Sequence, residues 1–592
     1  MKSVSRVRAI LLAGVAAAVL AAPAVAQMKS KLIPRDVLWG NPEKASVQLS
    51  PDGSKLAWLA PVDGVMNVWV APVDDIDAAK AVTSDDYRGI RSYFWAYTNQ
   101  HILYLQDKGG DENFHVYSTN LQSGETIELT PFEGARASVQ EVSHEFPNEI
   151  LVGVNNRNPA FFDIHRVNIT NAERSLVLEN PGQIEGGQVA GMVTDDDYNV
   201  RMAVTMTPDG GLSVFQREGD GWKRFTTIPQ EDMLTTTPVG FGPEPHVLYM
   251  IDSRGRNTSA FTSVNLKTGA QSVIAADDKA DVSDVMIHPV KKTPEAVAFT
   301  YERKQWQTLD KAVRDDLKQI RSIADGELEI TSRTLDDRDW IVASLQDDGP
   351  VRYYHYDRDA KKAKFLFTNR KELESLPLAK MHPEVIKSRD GLNLVSYLTL
   401  PVDNDSDGDA RPDQPLPTVL LVHGGPWARD NWGFNPLHQL LANRGYAVLS
   451  VNYRGSTGFG KDFINASNME WAGKMHDDLI DAVDWAVNAK IADPNRVAIM
   501  GGSYGGYATL VGMTFTPDVF ACGVDIVGPS SLITLMESFP AYWGPTIDIW
   551  KTRVGDFTTE AGREFLLSRS PISRVDQIKN PLLIAQGAND PR

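Results

Sequence analysis

Seven β-rich runs recur along the first two thirds of this chain at nearly constant spacing. They begin at Leu56, Ile102, Ile150, Arg201, Val247, Ala296 and Trp340, so successive starts lie 46, 48, 51, 46, 49 and 44 residues apart. Each is followed by a polar turn and a second β-rich run, among them NVWVAPV, FHVYSTNL, FFDIHRVNI, AFTSVNL and RYYHYDR. Several of these alternate apolar and polar residues, as half-buried strands do. Turn sequences recur as well, with SPDGS at Ser50, QSGE at Gln122, TPDGG at Thr207 and KTGA at Lys267. A unit of this length cannot bury both of its faces alone, so the units must stack, and the spacing predicts a seven-bladed β-propeller over residues 46–375. Lys304–Ile323 reads as a helix that decorates the sixth blade.

From about His382 the pattern changes. A hairpin with an RDG turn precedes alternating strands and helices: TVLLVHGG, PLHQLLANRG, YAVLSVNYRG, HDDLIDAVDWAVNA, RVAIMGG, YATLVGMTF, ACGVDIVG and PLLIAQG. Continuous apolar strands separated by helices predict a doubly wound, mostly parallel sheet covered on both faces. Residues 376–592 therefore read as an α/β-hydrolase catalytic domain. The acidic stretch Asp403–Pro415 resembles a calcium loop in spacing, but without a closing Glu or flanking helices it reads as a solvated loop.

The catalytic candidates sit at the turns of that domain. GGSYGG places Ser503 between the strand RVAIM and the helix YATLV, the strand-turn-helix context of a nucleophile elbow. The turn is crowded, hence the flanking glycines, and the helix N-terminus favours negative charge beside the hydroxyl. HGGP ends an earlier strand, where a backbone N–H can meet a developing oxyanion; the Tyr504 N–H would be a second donor. In this fold the acid follows a late strand and a histidine comes after it. Asp590, 87 residues beyond Ser503 in QGAND, fits the acid. The eleven histidines run from His101 to His476, and none follows Ser503. His423 belongs to HGGP and His476 opens a helix. The expectation is a hydrolase domain without its C-terminal end, lacking the triad His and inactive or nearly so.

Together, SPDG, GDENFHVY, HGGP, NYRGSTGFG, DPNRVAIMGGSYGGY and GANDPR make the chain resemble the prolyl oligopeptidase family of serine peptidases, nearest its acylaminoacyl-peptidase branch. The resemblance implies a propeller that caps the active site and admits short peptides. It implies Ser503 as nucleophile, Asp590 as triad acid, and the Gly425 and Tyr504 backbones as oxyanion hole. It also implies an aromatic wall, with Tyr542 and Trp543 in FPAYW as candidates, and Arg592 as a residue holding a substrate carbonyl. Recognition of a substrate amino terminus requires propeller acids that face the cavity. Glu112 is a candidate, against the plainer reading of a solvated turn residue. An esterase or amidase with the same triad, and a non-catalytic propeller that binds peptides, stay open as alternatives.

Composition bounds the partners. The net charge is −18, and −21 without residues 1–26, which carry Lys2, Arg6, Arg8 and no acid. So acidic a chain repels phosphate backbones, and nucleic-acid binding is not expected. A basic start, the apolar run Ala9–Leu20 and the Ala24-x-Ala26 site read as a signal peptide over 1–26, followed by an N-terminal extension over 27–45. Export to a bacterial periplasm or beyond is expected, with no membrane association after cleavage. A single cysteine, Cys522, excludes an intrachain disulfide. No metal or cofactor motif is present, and oligomeric state is not legible.

Overall fold

The computed structural model describes residues 30–590 and Arg592. The expected signal peptide lies outside the described residues. Seven antiparallel sheets follow one another from Ala45 to Thr368, each a contiguous stretch of chain with its strands in sequential order. They are the seven blades. The repeated runs are the second strand of six blades and the third of the five-stranded fourth blade, and they are deeply buried: Leu56–Ala60, Ile150–Val154 and Trp340–Ser344 are buried throughout. Burial on both faces makes a strand read as an uninterrupted apolar run, which is why these strands carry the periodicity.

The ring closes without strand exchange. The first strand of blade 1 packs on the first strand of blade 7, where Leu49 N donates to Ser332 Oγ at 2.9 Å and Thr331 Oγ1 to Val47 O at 3.2 Å. One expectation is corrected here. Lys304–Thr308 is a strand, the third of blade 6, and the helix spans only Lys311–Arg321. Asp310 caps it by accepting from Ala312 N and Val313 N, which fixes its start. The helix stands where other blades have an outer strand. It buries Val313, Leu317 and Ile320 against Trp340, Val342 and Tyr356 of blade 7.

The second domain is built on a seven-stranded sheet. Its order is Met381–Lys387, Asn393–Thr399, Ala447–Val451, Leu416–Val422, Ala492–Gly502, Cys522–Ile526 and Leu582–Ala585. The first two strands are antiparallel and the remaining five run parallel. Helices Lys474–Asn488 and Tyr504–Phe515 help to cover its faces. At the edge, Leu583 and Ile584 are 58% and 61% exposed. The extension from Ser30 onward touches both domains: Ile33 N donates to Asn443 Oδ1 at 2.6 Å, Asn41 Nδ2 donates to Gly64 O of blade 1 at 2.8 Å, and Ile33 and Leu38 share a cluster with Leu373 and Leu378. Among the described residues no helix is long and apolar enough to cross a membrane.

Candidate active site

Ser503 sits between the strand Ala492–Gly502 and the helix Tyr504–Phe515 with φ +58° and ψ −118°. A non-glycine residue with positive φ is strained, and the neighbours hold it there. Ser503 N donates to Ile526 O at 2.9 Å, and Ser503 O accepts from Tyr507 N at 3.0 Å. The glycines are obligatory on steric grounds. A Cβ on Gly505 would lie 2.0 Å from Val422 O, and one on Gly501 would lie 2.5 Å from the Gly505 carbonyl carbon. Behind the elbow, Asp525 accepts from Gly528 N at 2.9 Å, and burial pushes its carboxyl up to about 6.

The HGGP loop runs beside this turn, close enough that a Cβ on Gly424 would meet Gly502 O at 3.2 Å. His423 anchors the loop. Its ring stacks on Tyr453 at 4.5 Å, and its two nitrogens bond Ser456 Oγ at 2.9 Å and Gly424 O at 2.7 Å. Tyr453 OH donates to His423 O at 3.0 Å, and the Tyr453 ring stacks on Tyr504 at 5.3 Å. The two segments that offer backbone N–H groups, around Gly425 and Tyr504, are thus held together by one aromatic column.

A cavity of about 650 Å³ brings most of the candidates together: Ser503, Tyr504, Gly425, Trp543, Asp590 and Arg592 all line it. Tyr542 lies outside that lining, with the Arg136 guanidinium 5.2 Å over its ring. The aromatic wall is larger than the sequence suggested. Trp471, Phe539 and Trp550 join Trp543, with Phe539 4.8 Å from both Trp543 and Trp550. Trp471 and Trp550 carry no motif; they meet only because two distant segments converge.

Another part of the lining is polar, with the Arg592 guanidinium 5.8 Å over the Trp543 ring. Asp590 accepts from Arg592 N at 2.9 Å and from Gln586 Nε2 at 3.2 Å. The Arg592 guanidinium reaches the propeller and pairs with Glu112 Oε1 at 2.6 Å. Glu112 therefore belongs to the cavity wall, while its side chain stays 44% exposed. It is held at φ +60°, and its carbonyl accepts from Arg136 Nη1 at 2.7 Å. Among the described residues no histidine lines this cavity. His476 bonds Thr516 Oγ1 at 2.9 Å, and burial holds its imidazole down to about 4. His438, between Thr399 and Ser450, is held down to about 3 in the same way.

Two acidic clusters outside the site find partners within the chain itself. Glu295 and Asp337 pair with Arg333, and Asp405 of the acidic loop pairs with His382 at 2.7 Å.

A strained serine at a helix N-terminus, flanked by backbone donors and an acid at the ends of parallel strands, defines a serine hydrolase of the α/β type under a propeller cap. The prolyl oligopeptidase family profile matches residues 432–592. Dipeptidyl aminopeptidase BIII of Pseudoxanthomonas mexicana is 51% identical over 564 residues, covering 95% of this chain and 81% of that protein. Dipeptidyl peptidase family member 6 of Caenorhabditis elegans is 36% identical over 95% of this chain and 79% of its own length. The chain belongs to the prolyl oligopeptidase family and is a serine-type peptidase. A puromycin-hydrolyzing peptidase of Mycobacterium tuberculosis shares the fold, with a TM-score of 0.71 at 18% identity over 95% of this chain and 89% of that one. The expected kinship with acylaminoacyl-peptidases is the weaker one: the Arabidopsis thaliana acylamino-acid-releasing enzyme matches 30% of this chain and 23% of its own, at 31% identity.

Proposed function

We propose that this peptidase removes dipeptides from the free amino terminus of short peptides. The observation that carries the reading is Glu112, a propeller carboxylate that lines the same cavity as Ser503. An acid there suits a substrate ammonium, and Arg592 beside it suits the first substrate carbonyl. The span between this acid and the serine then sets how many residues are released. The names of the two relatives with high coverage agree with such a cut. The aromatic wall receives the side chain before the scissile bond.

In the reaction, Ser503 Oγ adds to the carbonyl carbon and its proton passes to a general base. The carbonyl oxygen takes the negative charge between the Gly425 and Tyr504 N–H groups. Collapse expels the amine, which takes up that proton, and water then releases the acyl group by the same steps. Asp590 suits the role of orienting the base, an imidazole that none of the described histidines supplies. Export by way of residues 1–26 belongs to the same proposal, supported by their charge and apolar pattern.

The test compares a dipeptidyl p-nitroanilide bearing a free amino terminus with its N-acetyl form, on the protein produced in its own host. The free form is expected to be strongly preferred. Glu112→Gln should raise its KM about tenfold or more, the worth of a charge-assisted hydrogen bond. Equal or faster cleavage of the acetylated form would overturn this reading in favour of an acylaminoacyl-peptidase.

A further inference from the structure

Four residues beyond Gly425, Arg429 leaves the hydrolase domain and enters the propeller. Its Nη1 donates to Thr300 O at 2.6 Å and its Nη2 to Tyr301 O at 2.8 Å, both at the end of a blade 6 strand. Its other partners are Tyr397 OH at 3.4 Å and the Asp430 carbonyl at 3.2 Å. All four acceptors are neutral oxygens. The guanidinium lies 4.4 Å over the Phe459 ring, and burial pushes its pKa down. A cation desolvated this far holds its place only while its hydrogen bonds are complete, and two of the four come from the other domain.

The surroundings are shaped for that side chain. Gly458, at φ +94° in the GSTGFG run, leaves the room it needs, since a Cβ there would lie 2.6 Å from Nη1. The same turn ties both domains to the loop. Thr457 N donates to Ala428 O at 2.9 Å, Asp281 N to Gly458 O at 3.0 Å, and Gly460 N to Asp281 Oδ2 at 2.9 Å. The loop itself is under-satisfied: among the described residues, Trp427 Nε1 and Asp430 Oδ2 are buried without a partner. Such a segment keeps one conformation because its neighbours impose it.

We propose that Arg429 is a positioning residue that couples docking of the propeller to the geometry of the oxyanion loop. With blade 6 in place, the guanidinium draws residues 426–429 into register and fixes the Gly425 N–H. With blade 6 displaced, Arg429 loses two acceptors and turns to water, and the loop is released. The anion site is then complete only in the closed molecule. The inference rests on the reading of Gly425 as an oxyanion donor to a substrate opened by Ser503.

The experiment uses two ligands on the protein produced in its own host. A dipeptidyl boronic acid with a free amino terminus becomes tetrahedral when Ser503 adds to it, and so reports on the anion site. The corresponding dipeptide amide reports only on ground-state binding. Arg429→Met is expected to weaken the boronic acid about 10- to 100-fold while the amide changes less than about threefold, with Arg429→Lys between. Should Arg429→Met fail to fold, Gly458→Ala, which drives a methyl against the guanidinium, should give the same selective loss. An unchanged boronic acid affinity, or equal weakening of both ligands, would overturn the coupling. If Ser503→Ala bound the boronic acid as tightly as the parent protein, the underlying reading of the site would fall instead.

Discussion

Ser503 shows how much chemistry a few residues can fix. Its glycines are demanded by contacts that no side chain survives, so Gly505→Ala, with a Cβ 2.0 Å from Val422 O, should lower the melting temperature and abolish fluorophosphonate labelling of Ser503. Full labelling of a stable Gly505→Ala protein would contradict the packing described here. The elbow was legible because its geometry is local. Glu112 and the tryptophans were less so, since their roles arise when distant segments converge. Trp550 sits 5.3 Å from Trp427 and faces Trp543 in a near-parallel stack, yet nothing around it in sequence marks it. Trp550→Ala should cut kcat/KM about tenfold or more for peptides with a large apolar residue before the scissile bond. Peptides with a small residue there should lose little, and equal losses for both would argue against a wall at this position.

Elements differ in how openly their sequence declares them. The strand that carries the repeat in each blade was legible because burial on both faces removes polar residues from the run. Lys304–Thr308 was misread because KQWQT merges with the helical pattern that follows, and only the Asp310 cap separates them. Two buried histidines set a stability prediction at this scale. The unfolded chain takes up protons from about pH 6.5 downward, whereas folded His476 resists until about 4 and His438 until about 3. Their folded values lie below their unfolded ones, so acid favours the unfolded state and stability falls as pH drops from about 6.5 toward 4. Thermal melts between pH 7 and 4.5 should show this fall, and His476→Asn should flatten it; an unchanged slope in that variant would assign the effect elsewhere.

At the scale of the molecule, the sequence announced a propeller and a hydrolase but not how they face each other. The apposition is made by single residues: Arg592 to Glu112, Lys461 to Asp232 at 2.8 Å, and Arg429 to two blade 6 carbonyls. None of these pairs has a sequence signature, because each joins residues more than a hundred positions apart. The cavity they enclose holds a nucleophile, backbone donors and an acid but no described imidazole. The most direct test of the proposed activity follows the products. The protein produced in its own host would be incubated with an unblocked hexapeptide, with and without Ser503→Ala, and the fragments weighed by mass spectrometry. Stepwise loss of dipeptides, absent in the variant, is expected; release of single residues, internal cleavage, or persistence of activity without the serine would contradict it.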